Sequence, residues 1–182
     1  MQVMKKQMWF LLAAIAMVLF VTPASHAQLN SSPSTVLLNA TLGESLTLAV
    51  SPANVTFALS PSGTSNGNSP VSITTTWVLG STRTSLNVYA YFSSTTALTD
   101  GLGHNIPTTN FNGSVNGGGF SSFTGSTGPF GANAVTIYSL SSLTGVFNSS
   151  HSDNLGLQIN TTGLGLPAGT YTGTLNVQAQ VI

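Results

Sequence analysis

Apolar and polar residues alternate along most of this chain, and the alternation is clearest from Tyr171 to Val181. There Tyr171, Gly173, Leu175, Val177, Ala179 and Val181 fall on one side, and Thr172, Thr174, Asn176, Gln178 and Gln180 on the other. Successive side chains of a strand point to opposite faces, so the stretch predicts a half-buried strand of antiparallel type. Leu166-Pro167-Ala168-Gly169 ahead of it is turn chemistry, because proline presets φ and glycine accepts positive φ. Similar alternation marks Val36, Leu38, Ala40 and Leu42, then Leu46, Leu48 and Val50, then Val55, Phe57 and Leu59. Val71 to Leu79 is rich in strand-favouring residues and includes Trp77. Leu86, Val88, Ala90 and Phe92 alternate against Asn87, Tyr89 and Tyr91. Further strands are expected at Val135 to Leu140 and at Leu155 to Ile159.

Between these runs lie loop compositions. "PSGTSNGNSP" over residues 61–70 reads as a loop. Residues 100–133 form a long insertion rich in Gly, Asn and Ser, in which Asn116-Gly117-Gly118-Gly119 predicts a hairpin turn between Val115 and Phe120. Phe111, Phe120, Phe123 and Phe130 are spaced through the insertion. They suit a satellite core under the loop, with an adhesive patch as the alternative. No helical periodicity appears beyond the first residues. The pattern predicts an all-β fold, an antiparallel β-sandwich of about eight to ten strands.

The front of the chain is organised differently. Lys5 and Lys6 precede an unbroken apolar run of 14 residues, Met8 to Val21, and Ser25-His26-Ala27 supplies the small residues of a cleavage site. Residues 1–27 therefore read as a secretory signal peptide. The run is shorter than the ~20 residues that span a bilayer, so no membrane span is expected in the mature chain. Residues 28–35 read as a flexible N-terminal arm, and 36–182 as a single β-sandwich domain. The strand at Val36, Leu38, Ala40 and Leu42 has two readings: the first strand of its own domain, which is the expectation, or a segment donated to the sheet edge of a neighbour.

Charge then narrows the function. With both lysines in the signal peptide, the mature chain keeps one base, Arg83, and three acids, Glu44, Asp100 and Asp153, a formal charge of −2. Such a surface has no means of neutralising phosphates, which excludes nucleic-acid partners. There is no cysteine, hence neither a disulfide nor a thiolate metal site. Two histidines remain, His104 and His151, and neither sits beside a nucleophile motif. Asp153, two residues from His151, is the one pairing of note, and Asp100 begins an Asp-Gly turn. No catalytic residue, cofactor or metal ligand is assigned. Trp77, Tyr89 and Tyr91 are the candidate contacts for a sugar or a partner, because strand aromatics that face solvent stack on sugar rings.

The segment Pro167-Ala168-Gly169-Thr170-Tyr171-Thr172-Gly173-Thr174-Leu175 resembles the closing strand of two groups of bacterial secreted domains. One is the spore coat U and fimbrial-subunit group, and the other is the WxL surface domain. The resemblance implies an immunoglobulin-like sandwich and a bacterial cell-surface setting. The chain departs from the first group in lacking cysteines and from the second in carrying a single triplet, Trp77-Val78-Leu79. The chain also looks like exported proteins of Gram-negative soil bacteria. No functional residue is carried over from any of these groups. The expected function is that of a secreted, non-enzymatic structural or adhesion protein, pilin-like or coat-like, in the periplasm, on the cell surface or outside the cell. Its partners would be copies of itself or other surface proteins. The alternative is a carbohydrate-binding module whose partner is a polysaccharide.

Overall fold

The computed structural model describes residues 29–123 and 134–182. The expected signal peptide and Phe130 lie outside the described residues. The chain separates into two compact units, residues 1–40 and 41–182. In the first, residues 29–40 form no strand, and Leu29, Val36, Leu37 and Leu38 are exposed. Ala40 and Leu42 are likewise exposed and outside any strand. The expected first strand of the sandwich, over residues 36–42, is therefore absent, and among the described residues strand structure begins at Ser45. Alternation alone predicted it, but a strand forms only where another strand's backbone is available to pair with.

Among its described residues the second unit holds eleven strands. These are β1 (Ser45–Ser51), β2 (Thr64–Asn66), β3 (Val71–Val78), β4 (Leu86–Tyr91), β5 (Thr96–Thr99), β6 (Asn105–Pro107), β7 (Phe111–Val115), β8 (Ser121–Ser122), β9 (Val135–Leu140), β10 (Asn148–Asn160) and β11 (Asn176–Val181). One sheet has the order β1-β3-β10-β7-β8, with β2 also paired to β10. A second has the order β11-β4-β9, and β5 and β6 form a two-stranded ribbon. Every pairing is antiparallel. The fold is all-β, and its antiparallel sheets are consistent with a β-sandwich.

The inward faces meet in one apolar cluster. Ile73 and Trp77 from β3, Leu86, Val88 and Ala90 from β4, and Leu155, Leu157 and Ile159 from β10 are all buried within it. Period-2 burial is regular in β4, where Leu86, Val88 and Ala90 are inside and Asn87, Tyr89 and Tyr91 half-exposed. The outward face of the larger sheet carries hydroxyls. Thr74 and Ser152 lie opposite each other across β3 and β10, their oxygens 2.9 Å apart. Such a face is wetted without charge.

The described part of the insertion, residues 100–123, is more ordered than its composition predicts. It contains β6, a single 3-10 turn (Thr108–Asn110), β7 and β8. The expected hairpin turn is present: Asn116 and Gly117 both have positive φ, 51° and 74°. Two residues in the left-handed region suit a turn between right-twisted strands. Phe111 and Phe123 do not form a satellite cluster; both belong to the main core. Their rings pack edge to face with Phe92, with centroids 5.1 Å apart in each pair. Phe120 is exposed. Gly113 on β7 faces this cluster, and a Cβ there would come within 3.1 Å of Leu155 Cδ1 and 3.3 Å of Phe123.

Three further differences from the periodicity are instructive. The loop 61–70 contains β2, and β10 extends back to Asn148 through the hydroxyl-rich Ser149-Ser150-His151-Ser152. Only Phe57 of the Val55 to Leu59 run makes a bridge, to Gly67. The last strand begins at Asn176 rather than Tyr171; the residues before it make one bridge, Thr172 to Thr99. There Gly173 presses against the Ala97 backbone so closely that no Cβ fits.

Phe123 is fully buried and edge to face with two other rings. Phe123→Ala is expected to cost about 3–5 kcal/mol, read as a lower urea midpoint at unchanged m-value.

Candidate functional site

The few ionisable side chains of the described residues are all engaged in local structure. Glu44, just before β1, takes a bidentate hold from Arg83 in the β3–β4 turn: Nε donates to Oε1 at 3.1 Å and Nη2 to Oε2 at 2.9 Å. The Gly80 N–H donates to Oε1 as well, at 2.6 Å. The Arg83 guanidinium and this N–H hold the Glu44 carboxyl down to about 2, and Glu44 in turn raises the pKa of Arg83.

Asp100 staples the turn between β5 and β6. Its Oδ1 accepts from the N–H groups of Leu102 and His104, and its Oδ2 lies 2.6 Å from His104 Nδ1. Burial pushes this carboxyl up, but the His104 ring and the two N–H groups outweigh it and leave the pKa below its ordinary value. Burial and the Asp100 charge together raise the Tyr171 phenol.

The His151–Asp153 pair lies on β10, not in a solvated loop as its polar sequence suggests. Asp153 is buried, and its Oδ1 accepts from Asn116 Nδ2 at 2.8 Å and lies 3.2 Å from His151 Nε2. The His151 ring stacks on Tyr138 of β9 with centroids 3.8 Å apart. Asn116 also closes a reciprocal pair with Asn154, through its N–H to Asn154 O and its Oδ1 from Asn154 N–H. The cluster fastens the β7–β8 hairpin to β10 and links the two sheets. Among the described residues no three His, Cys, Asp or Glu side chains gather as metal ligands.

The aromatic candidates separate. Trp77 is 2% exposed, and its Nε1 donates to Val146 O at 2.7 Å. It is a core residue, because β3 is a central strand whose odd positions face inward, and it is corrected as a surface contact. Tyr89 and Tyr91 lie on the outer face of the three-stranded sheet, half-exposed, opposite Gln178 and Asn176 of β11. Tyr91 donates to Gln178 Oε1 at 3.2 Å.

Periodicity gave no sign of a cleft along one side of the domain. β1 pairs only with β3, and β11 only with β4, among the described residues. The two strands come within contact distance of each other. At one end a groove of about 390 Å³ runs between Ser45-Leu46 and Gln178 to Val181. At the other, a groove of about 570 Å³ separates Asn54 to Leu59 from Gly169 to Gly173. The walls are apolar but incompletely covered: Leu46, Leu48, Val177, Ala179 and Val181 are half-buried, and no residue of β1 or β11 belongs to the fully buried set. Neither strand carries a charged residue or a proline. The strand-donating candidates Val36, Leu38, Ala40 and Leu42 are all exposed and unpaired. No helix of the described residues is long and apolar enough to cross a membrane.

No protein-family model matches the chain, and no curated protein is significantly similar to it.

Glu44 and Asp100 release their protons more readily folded than unfolded. Their stabilisation is complete above the ordinary carboxylate range, about 4–4.5. The Glu44 part is lost as pH falls from there toward about 2, and the Asp100 part as pH falls below its ordinary value. The melting temperature should therefore fall on acidification through this window, and Glu44→Gln should flatten part of the fall in a thermal melt followed by circular dichroism.

Proposed function

We propose that the chain is an exported, non-enzymatic protein of the bacterial cell surface, an immunoglobulin-like sandwich that assembles with copies of itself or with other surface proteins. The observation that carries this reading is the pair of bare edges on β1 and β11. Natural sheets block open edges with charge, proline or a covering segment, because an unpaired ladder recruits another strand. Among the described residues both edges are uncharged and unpaired, and both strands line one groove. The role of the acids as structural staples supports the non-enzymatic part, and the leader-like first 27 residues support export to the periplasm, the cell surface or the exterior.

Sedimentation velocity of the purified protein over a concentration series tests this. Reversible association, insensitive to salt because no charges meet, is the expected outcome; a monomer at every concentration refutes the reading.

A second reading, polysaccharide binding, is favoured by the outer face of the three-stranded sheet. It sets Tyr91 beside Asn176 and Gln178, an uncharged arrangement of ring and amides suited to neutral sugars. Retention on an insoluble polysaccharide, lost in Tyr91→Ala, is the expected result; equal retention of the variant removes this reading.

A further inference from the structure

We infer that a trough on the outer face of the larger sheet, beside the β7–β8 hairpin, binds a ring of a neutral saccharide. It is separate from the Tyr91 face, which belongs to the three-stranded sheet, and it rests on neither reading above.

Strand register builds the trough. Leu155 and Leu157 of β10 are buried, so Gly156 between them faces outward. Gly156 pairs with Ser114 of β7, which puts both on one face. Val71 pairs with Leu155, and Pro70, one residue earlier, therefore comes beside Gly156. Ser121 pairs with Gly113, and Phe120, one residue earlier, comes beside Ser114. The row across the sheet is thus ring, glycine, serine, ring: low in the middle and high at both ends. Asn116 and Asn154 close one side of the hollow, whose volume is about 370 Å³.

Two features keep the hollow open. A Cβ at Gly156 would meet Ser114 O at 3.6 Å and Ser114 Cβ at 3.8 Å, which are ordinary contacts, and the φ of Gly156 is not positive. The backbone does not require glycine there, so what the glycine supplies is room. Phe120 is 48% exposed, whereas Phe111 and Phe123 on either side of it are 2% and 0%. Core packing takes those two rings and leaves this one to face a ligand.

The lining selects the ligand. No charged side chain borders the hollow, and Asp153 is already engaged by Asn116 and His151. An ion entering would lose water without meeting a counter-charge. A wholly apolar molecule would cover the amides and leave them unpaired. A neutral sugar answers both demands, with C–H faces for the Phe120 ring and a hydroxyl rim for Asn116 and Asn154. Asn116 is held ready for this: its N–H and Oδ1 are tied to the Asn154 backbone and its Nδ2 to Asp153 Oδ1. These bonds take one N–H of Nδ2 and one lone pair of Oδ1, so one of each remains to meet a hydroxyl. A side chain already fixed loses little entropy on binding.

NMR titration of the isotope-labelled protein with neutral tetrasaccharides of glucose, mannose, galactose or N-acetylglucosamine tests the assignment. At least one should shift the amide signals of Gly117, Gly118 and Gly156 together, and saturate. Phe120→Ala should weaken that sugar about tenfold, and Gly156→Leu, which fills the floor, should abolish the shifts. Both variants are expected to melt near the parent temperature, since one removes an exposed ring and the other extends into the hollow; if Gly156→Leu does not fold, Phe120→Ala decides. The uronic acid counterpart of the sugar that binds should bind about tenfold more weakly, because its carboxylates find no partner. No shift at these amides with any of the four sugars, or equal affinity in Phe120→Ala, overturns the assignment. Shifts confined to the Tyr91 face overturn it too and leave that face as the sugar site.

Discussion

The fold depends on the backbone ladder of β10. This strand runs thirteen residues, and its partners change along its length: β3 over Asn148 to Leu155, then β7 on one side and β2 on the other to Asn160. Leu155, Leu157 and Ile159 are buried, so the strand's inner face anchors the core at the place where the pairing changes. The strands around it are short, and few would be independently stable. Each is held because β10, directly or through β3 and β7, fixes its register.

The second constraint is the scarcity of charge. A domain with one base and three acids between residues 29 and 182 cannot spend ionic groups on solubility alone. Each acid is placed where two or more donors converge: Glu44 at the mouth of β1, Asp100 in the β5–β6 turn, Asp153 between hairpin and sheet. Hydroxyls and amides provide the wetted surface, as in the Thr74–Ser152 contact and the Tyr91–Gln178 contact. A surface of this kind offers neither repulsion between copies nor an electrostatic guard on its edges, which is why the uncovered strands of the cleft weigh so much in the functional reading.

Periodicity made the central strands legible. Val71 to Val78 and Leu86 to Tyr91 were readable because each buries one full face, so their apolar residues recur at every second position. β2, β8 and the first half of β10 were not, since Ser, Thr and Asn residues there pair through the backbone and bury little apolar surface. Val36 to Leu42 shows the converse: the pattern records what a segment is able to bury, and this segment stays exposed. The same limit hid the cleft, which is a relation between two edges distant in sequence. Trp77 was misjudged for a related reason. The sequence places it on a strand, but only the topology, with β1 on one side of β3 and β10 on the other, makes that strand central.

The Glu44–Arg83 clasp has one more consequence. Proteases that recognise a basic side chain have a single such residue between positions 29 and 182, and that guanidinium is already gripped by a carboxylate. The bond after it is no easier to reach, since the N–H of Arg83 is bonded to Gly80 and that of Thr84 to Ile182. Cleavage requires a substrate loop to be drawn out and laid along an enzyme's groove. A tethered turn resists that, and a chain so built is suited to last where foreign digestive enzymes are abundant.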